Sequence, residues 1–117
     1  MVMNKPFIYL AVPYSHPDPD IRLLRFNQVN YVAGKMMTAG ELVLSPISHS
    51  HPIALTVELP LEWEYWKKMC AAWMSVCHKL VVLRLAGYTT STGVTAEIKL
   101  AKELNLPIDY VDYRDFL

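Results

Sequence analysis

The acid at position 97 stands where a core residue belongs. It lies in the run Ser91-Thr92-Gly93-Val94-Thr95-Ala96-Glu97-Ile98, which opens the last predicted helix. On a wheel of about 100° per residue, Val94, Ile98, Ala101 and Leu104 form one apolar arc. Glu97 falls inside that arc, whereas Lys99, Lys102 and Glu103 fall outside it. A carboxylate turned toward a core costs several kcal/mol of desolvation unless it is paired, protonated or set on a cavity. Two readings stand side by side: an acid at a helix start favoured by the helix dipole, or a functional carboxylate. The preceding run Leu80-Val81-Val82-Leu83-Arg84-Leu85 reads as a buried strand of the kind whose carboxyl end opens onto a ligand crevice.

In a parallel sheet the functional loops follow the carboxyl ends of the strands. The segments that meet there are residues 13–19, 46–52, 86–93 and the tail after 111. They bring Tyr14, Ser15 and His16, then Ser45, Ser48, His49, Ser50 and His51, then Tyr88, Thr89, Thr90, Ser91 and Thr92. The result is a crevice of hydroxyls and imidazoles with one acid. Neither GxGxxG nor GxxxxGK[ST] occurs, so the dinucleotide and P-loop fingerprints are absent. Ser91 and Thr92 precede a helix N-terminus, whose free N–H groups suit a phosphate; either residue also serves as a plain N-cap, and the two roles are compatible. His49 and His51, two apart with no Cys or Asp close by, are a weak metal-ligand set. Hydrogen bonds to loop backbone or to a substrate suit them better, and no metal is expected. His16 and His78 are expected at the surface. Trp63, Trp66 and Trp73 form a stripe for a core or a dimer interface.

These groups need positioning elements. Residues 7–12, Phe7-Ile8-Tyr9-Leu10-Ala11-Val12, form an apolar run suited to a strand buried on both faces. A helix capped by Asp20 and ended by Gly40 follows, then a strand over 41–45 and an irregular stretch over 46–60. A second helix over 61–77, a strand over 79–85, the Glu97 helix and a strand over 108–111 complete the chain. Strands alternating with helices imply a parallel sheet with right-handed crossovers. The expected architecture is α/β: a flavodoxin-like or Rossmann-like three-layer sandwich with four or five mostly parallel strands, in one domain over residues 1–117.

Composition limits the function classes. Lys plus Arg and Asp plus Glu number 11 each, so the net charge is zero and no basic field exists for nonspecific nucleic-acid binding. Apolar residues make up 53% of the chain, which excludes disorder. Three Trp and seven Tyr on a neutral chain fit self-association. Cys70 and Cys77, about 10 Å apart along the predicted helix, are too far apart for a disulfide and read as reduced thiols. Met1-Val2-Met3-Asn4 runs into the first strand without a signal peptide, and no apolar run is long enough to span a bilayer. A cytoplasmic location is expected.

Three segments resemble the nucleoside 2-deoxyribosyltransferase-like superfamily, and most closely a small bacterial and phage branch catalogued as a domain of unknown function. They are Phe7-Ile8-Tyr9-Leu10-Ala11-x-Pro13-Tyr14, Ser45-Pro46-Ile47-Ser48-His49-Ser50-His51-Pro52-Ile53, and Val81-Val82-Leu83-x-Leu85-x-Gly87-Tyr88-x-x-Ser91-x-Gly93-Val94-x-x-Glu97. The resemblance implies a deoxyribosyltransferase or N-glycosidase acting on a nucleoside or nucleoside 5'-monophosphate. It also implies a homodimer or larger assembly and no cofactor. Glu97 matches the nucleophile, Tyr9 the tyrosine that contacts it, and Ser91 a serine that helps hold the 5'-phosphate. Gly93, Tyr14, Ser15, His49, His51 and Tyr88 are the remaining expected substrate contacts. Two features depart from the pattern. The family's aspartate, eight residues before a second aspartate, is replaced by Cys70, with His78 at the second position. The arginine-bearing phosphate loop is replaced by Val12-Pro13-Tyr14-Ser15-His16. Both departures leave open a binding or sensing protein of the same fold that has lost turnover.

Overall fold

Strand β1 (Phe7–Ala11) shows how the layers arise, because successive side chains point to opposite faces. Ile8 and Leu10 enter an aliphatic core on one face, and Tyr9 and Ala11 enter a second core on the other. The computed structural model describes residues 5–117, so the expected run of residues 1–4 into β1 lies outside the described residues. The order continues with α1 (Pro19–Thr38), β2 (Val43–Leu44), α2 (Pro46–Val57), α3 (Trp63–Met74), β3 (Cys77–Leu83), α4 (Thr92–Glu103), β4 (Ile108–Val111) and a terminal 3-10 turn (Tyr113–Phe116). The four strands pair in the order β2-β1-β3-β4, and every pairing is parallel. Helix α1 and the terminal turn cover one face, while α3 and α4 cover the other. The expected three-layer flavodoxin-like or Rossmann-like sandwich is the observed fold.

Several boundaries differ from the sequence expectations. Asp18, not Asp20, caps α1: its side chain accepts from the Asp20 N–H at 2.9 Å. Pro19 takes the first helical position, where a missing N–H costs nothing. Gly40 does follow α1, with φ +90. The stretch over 46–60, expected to be irregular, contains α2. Pro46 is harmless at a helix start, and although Pro52 removes one interior bond, the packed face of Pro46, Ser50, His51 and Ala54 overrides it. The second predicted helix is shorter than expected, because Cys77 leaves it to open β3 and pair with Phe7. Cys70 and Cys77 therefore sit on different elements, and both are free thiols. Strand β2 is only two residues long, although Ile8 N–H also reaches Leu42 O at 2.8 Å.

No described helix is long and apolar enough to cross a membrane.

Candidate functional site

Glu97 takes its place because α4 lies flat on the Tyr9 face of the sheet. Val94, Glu97 and Ala101 of the arc read from the sequence are buried, Ile98 is half-buried, and Leu104 at the helix end is exposed. Glu97 is 7% exposed, and that small window opens onto a cavity of about 610 Å³. Ligand sites usually fall between about 300 and 1,000 Å³. Behind Glu97 and away from the cavity, the fully buried Tyr9 donates its hydroxyl hydrogen to Glu97 Oε2. Burial pushes the Glu97 pKa up to about 7, with the Tyr9 hydrogen bond pulling the other way. Burial, and after it the Glu97 charge, hold the Tyr9 phenol well above its usual pKa, so Tyr9 remains a donor. An acid balanced near neutrality at a cavity floor can serve as a nucleophile or a base.

Cys70 of α3 lies beside this pair and also lines the cavity. Burial raises its thiol to about 11, which leaves it protonated and a poor nucleophile. Cys77, likewise raised by burial to about 11, does not line the cavity.

The β3–α4 loop supplies the next wall. Ser91 caps α4, its Oγ accepting from Val94 N–H at 3.2 Å. A hydroxyl that accepts still has its own proton to donate, so the cap and ligand roles coexist. Thr90, Ser91, Thr92 and Gly93 line the cavity at this helix N-terminus. Gly93 is not sterically required there, since an added Cβ would meet Trp63 at an ordinary 3.7 Å. Gly87 is required: its φ is +93, and a Cβ would press on Arg25 Nη2 at 3.0 Å.

Arg25 of α1 escaped the sequence reading, which treated that helix as scaffold. Its guanidinium donates to Ala86 O at 3.0 Å and to Tyr14 O and Ser15 O at 3.3 Å each, tying the β1–α1 loop to the β3–α4 loop. It lines the cavity, and among the described residues no carboxylate pairs with it. A cation held by carbonyls alone keeps its full charge available to an anion. The available signal was Arg22 and Arg25, one turn apart near the start of the first helix and directly after the loop expected to carry the site.

The β1–α1 loop and α2 form the opposite wall. Tyr14 Oη hydrogen-bonds His51 Nδ1, and the His51 ring stacks on Phe26 at 4.3 Å. Ser15 lines the cavity while its Oγ donates to Leu61 O at 3.0 Å, anchoring the chain ahead of α3. His16, expected at the surface, also lines the cavity, with Nδ1 accepting from Asp18 N–H at 3.0 Å. His78 is exposed, as expected. Trp63 and Trp66 flank the opening with Glu62 and Glu64, and Trp73 packs on the second core.

Two expected contacts lie elsewhere. His49 is on the outer side of α2, edge-on to Trp73 at 5.1 Å, because a helix separates the directions of residues 49 and 51 that an irregular loop would leave free. Tyr88 packs toward the second core and a shallow depression with Ile98 and Tyr110, since the positive φ of Gly87 turns the chain there. No group of three or more His, Cys, Asp or Glu among the described residues is placed to hold a metal ion.

Fold and site together define a parallel α/β domain with a carboxylate at a strand-end cavity. The chain belongs to the family described as a domain of unknown function, DUF1937, whose family model matches residues 6–111. A search of curated proteins finds no match to it.

Proposed function

We propose that this protein is an N-glycosidase or 2-deoxyribosyltransferase acting on a nucleoside or nucleoside 5'-monophosphate, with Glu97 as nucleophile. The observation that carries the reading is the buried Glu97 carboxyl, held from behind by Tyr9 and open only toward the cavity. Attack on the anomeric carbon needs a carboxylate with one oxygen fixed and the other free, and a hydrogen bond to Oε2 alone leaves Oε1 for the sugar. Covalent capture divides one difficult displacement into two easier ones, through the oxocarbenium-like charge that sugar chemistry shares. Tyr9 does not touch the cavity; it acts through Glu97 as a positioning residue that also keeps the acid ionisable. Arg25, the α4 N-terminus and the Ser91 hydroxyl supply the donors a 5'-phosphate requires.

One observation favours a second reading, a nucleotide-binding or sensing protein without turnover. Cys70 stands beside Tyr9 and Glu97 where the resembling enzymes carry an aspartate, and a thiol is a weak donor with no carboxylate charge. Incubation with a panel of nucleosides and monophosphates separates the two. Release of free base, abolished by Glu97→Gln, supports the enzyme; thermal stabilisation by ligand without base release supports the sensor. Neither response to any member of the panel rejects both.

The working form is a cytoplasmic homodimer or larger assembly. Exposed Ile53, Leu55 and Val57 on α2 and Tyr65 and Met69 on α3 support it as apolar surface. Light scattering at tens of micromolar should give at least twice the 13.4 kDa chain mass; a monomer mass rejects this assembly.

A further inference from the structure

Breaking a C1'–N bond leaves an electron pair on the departing heterocycle, and Glu97 acts only on the sugar side of that bond. The group nearest the Glu97 pair, Cys70, is a protonated thiol and a weak donor. The α2 wall offers better ones.

Ser50 lines the cavity, and its buried Oγ has no hydrogen-bond partner among the described residues. Two other helical hydroxyls return to the carbonyl four residues back, Thr56 to Pro52 O at 2.8 Å and Thr38 to Gly34 O at 2.9 Å, and Ser48 of the same helix bonds Ser45 and Asn30. A buried hydroxyl without such a bond is destabilising until something satisfies it.

His51, its neighbour, is locked between Phe26 and Tyr14. The Arg22 guanidinium lies by the Tyr14 phenol, and burial keeps that phenol protonated. A phenol O–H is a stronger donor than a neutral imidazole N–H, and an imidazole nitrogen is the better acceptor, so Tyr14 donates to His51 Nδ1. Burial, then the Arg22 charge, hold the imidazole below its usual pKa and hence neutral. The one ring hydrogen is thus on Nε2, which no described residue engages.

We propose that His51 is a second catalytic residue, whose Nε2–H donates to the heterocycle as it leaves, with the Ser50 hydroxyl as its companion contact. The inference rests on the nucleoside-cleaving reading of the site and gives it the leaving-group half. The Tyr14 hydrogen bond to Nδ1 polarises the ring, so a neutral imidazole becomes a stronger donor at Nε2 without surrendering its proton. In the step, Glu97 Oε1 bonds C1' while the C1'–N pair moves onto the ring nitrogen, where Nε2–H stabilises it. Water then bonds C1' and frees the carboxylate, and the proton lost by that water ends on the base.

The test uses substrate pairs that differ only in the leaving group: guanine against 7-methylguanine, and uracil against 5-fluorouracil. A base that leaves readily needs little help. His51→Ala should slow release of the ordinary base about 100-fold and of its activated counterpart only a few-fold. His51→Gln, which restores an N–H near Nε2, should recover part of the loss. Tyr14→Phe should give the same leaving-group pattern at smaller size, and it carries the test if His51→Ala does not fold. Equal losses on both members of a pair, in folded variants, overturn the role of His51 and leave Glu97 untouched. No base release by the wild-type protein from any pair overturns the nucleoside reading and this inference together.

Discussion

The two faces of the sheet are built from neighbouring residues and behave differently. Leu10 and Tyr9 are both fully buried on β1, one facing α1 and the other facing α4. On the Leu10 side the core packs Ile8, Val12, Val29, Val32, Met36, Val81 and Leu83 together as an aliphatic cluster. The Tyr9 side mixes Leu80, Val82, Val94 and Met74 with a phenol and two thiols, and Glu97 lies against them. Burial therefore has two meanings here. On one face it stabilises the fold; on the other it is the means by which an acid is held near pKa 7. That arrangement has a thermodynamic cost. The folded pKa of Glu97 lies above its ordinary 4.5, so the folded state binds the extra proton between about 4.5 and 7. Stability from this group is greatest at low pH and falls as pH rises through that window, by an upper limit of roughly 3 kcal/mol.

Glu97→Gln should break the contrast most completely. Base release should fall by roughly four orders of magnitude or more, as for other covalent nucleophiles, while the variant becomes more stable than wild type by roughly 2–3 kcal/mol at pH 8 and by little at pH 5. Urea unfolding at the two pH values checks the second part; equal stabilisation at both would mean that Glu97 does not titrate in this window.

Leu83→Ala, in the aliphatic core and away from the cavity lining, is the opposite experiment. It should cost about 2–5 kcal/mol through the cavity left in the aliphatic core, with base release per folded molecule close to wild type. A large loss of turnover in the folded variant would show that the faces are not separable.

Tyr9→Phe keeps the ring and removes one hydrogen bond, so a smaller effect is expected. Wild-type base release should rise with pH through about 7 as Glu97 ionises. Without the Tyr9 donor that midpoint should move upward and the rate at pH 7 should drop about 10- to 100-fold. An unmoved midpoint would remove Tyr9 from the mechanism.

Ser50→Ala carries the smallest effect and opposes two readouts. The free protein should gain about 1 kcal/mol by losing an orphan hydroxyl, and ligand should bind about tenfold more weakly. Calorimetry of both forms reports the two signs; unchanged ligand binding would make Ser50 a scaffold residue.

Much of this organisation was legible in the chain. The uninterrupted apolar run of β1 and the alternation of strands with helices determined a parallel α/β sandwich, because a strand buried on both faces must be covered by helices on each. The apolar arc of α4 placed Glu97 toward the interior, since helical periodicity is a local property of the backbone. Local propensity misjudged α2, where Pro46 and Pro52 argue for a loop and packing against the sheet decides for a helix. That single misjudgement hid the separation of His49 from His51 and left Ser50 as one crevice hydroxyl among several. Arg25 escaped for a similar reason: its three carbonyl partners lie 10, 11 and 61 residues away, and no local pattern encodes such contacts. Sequence alone determined the layers and the inward acid. Only the tertiary structure decided what surrounds that acid, because the direction of each cavity wall depends on contacts between segments that are distant along the chain.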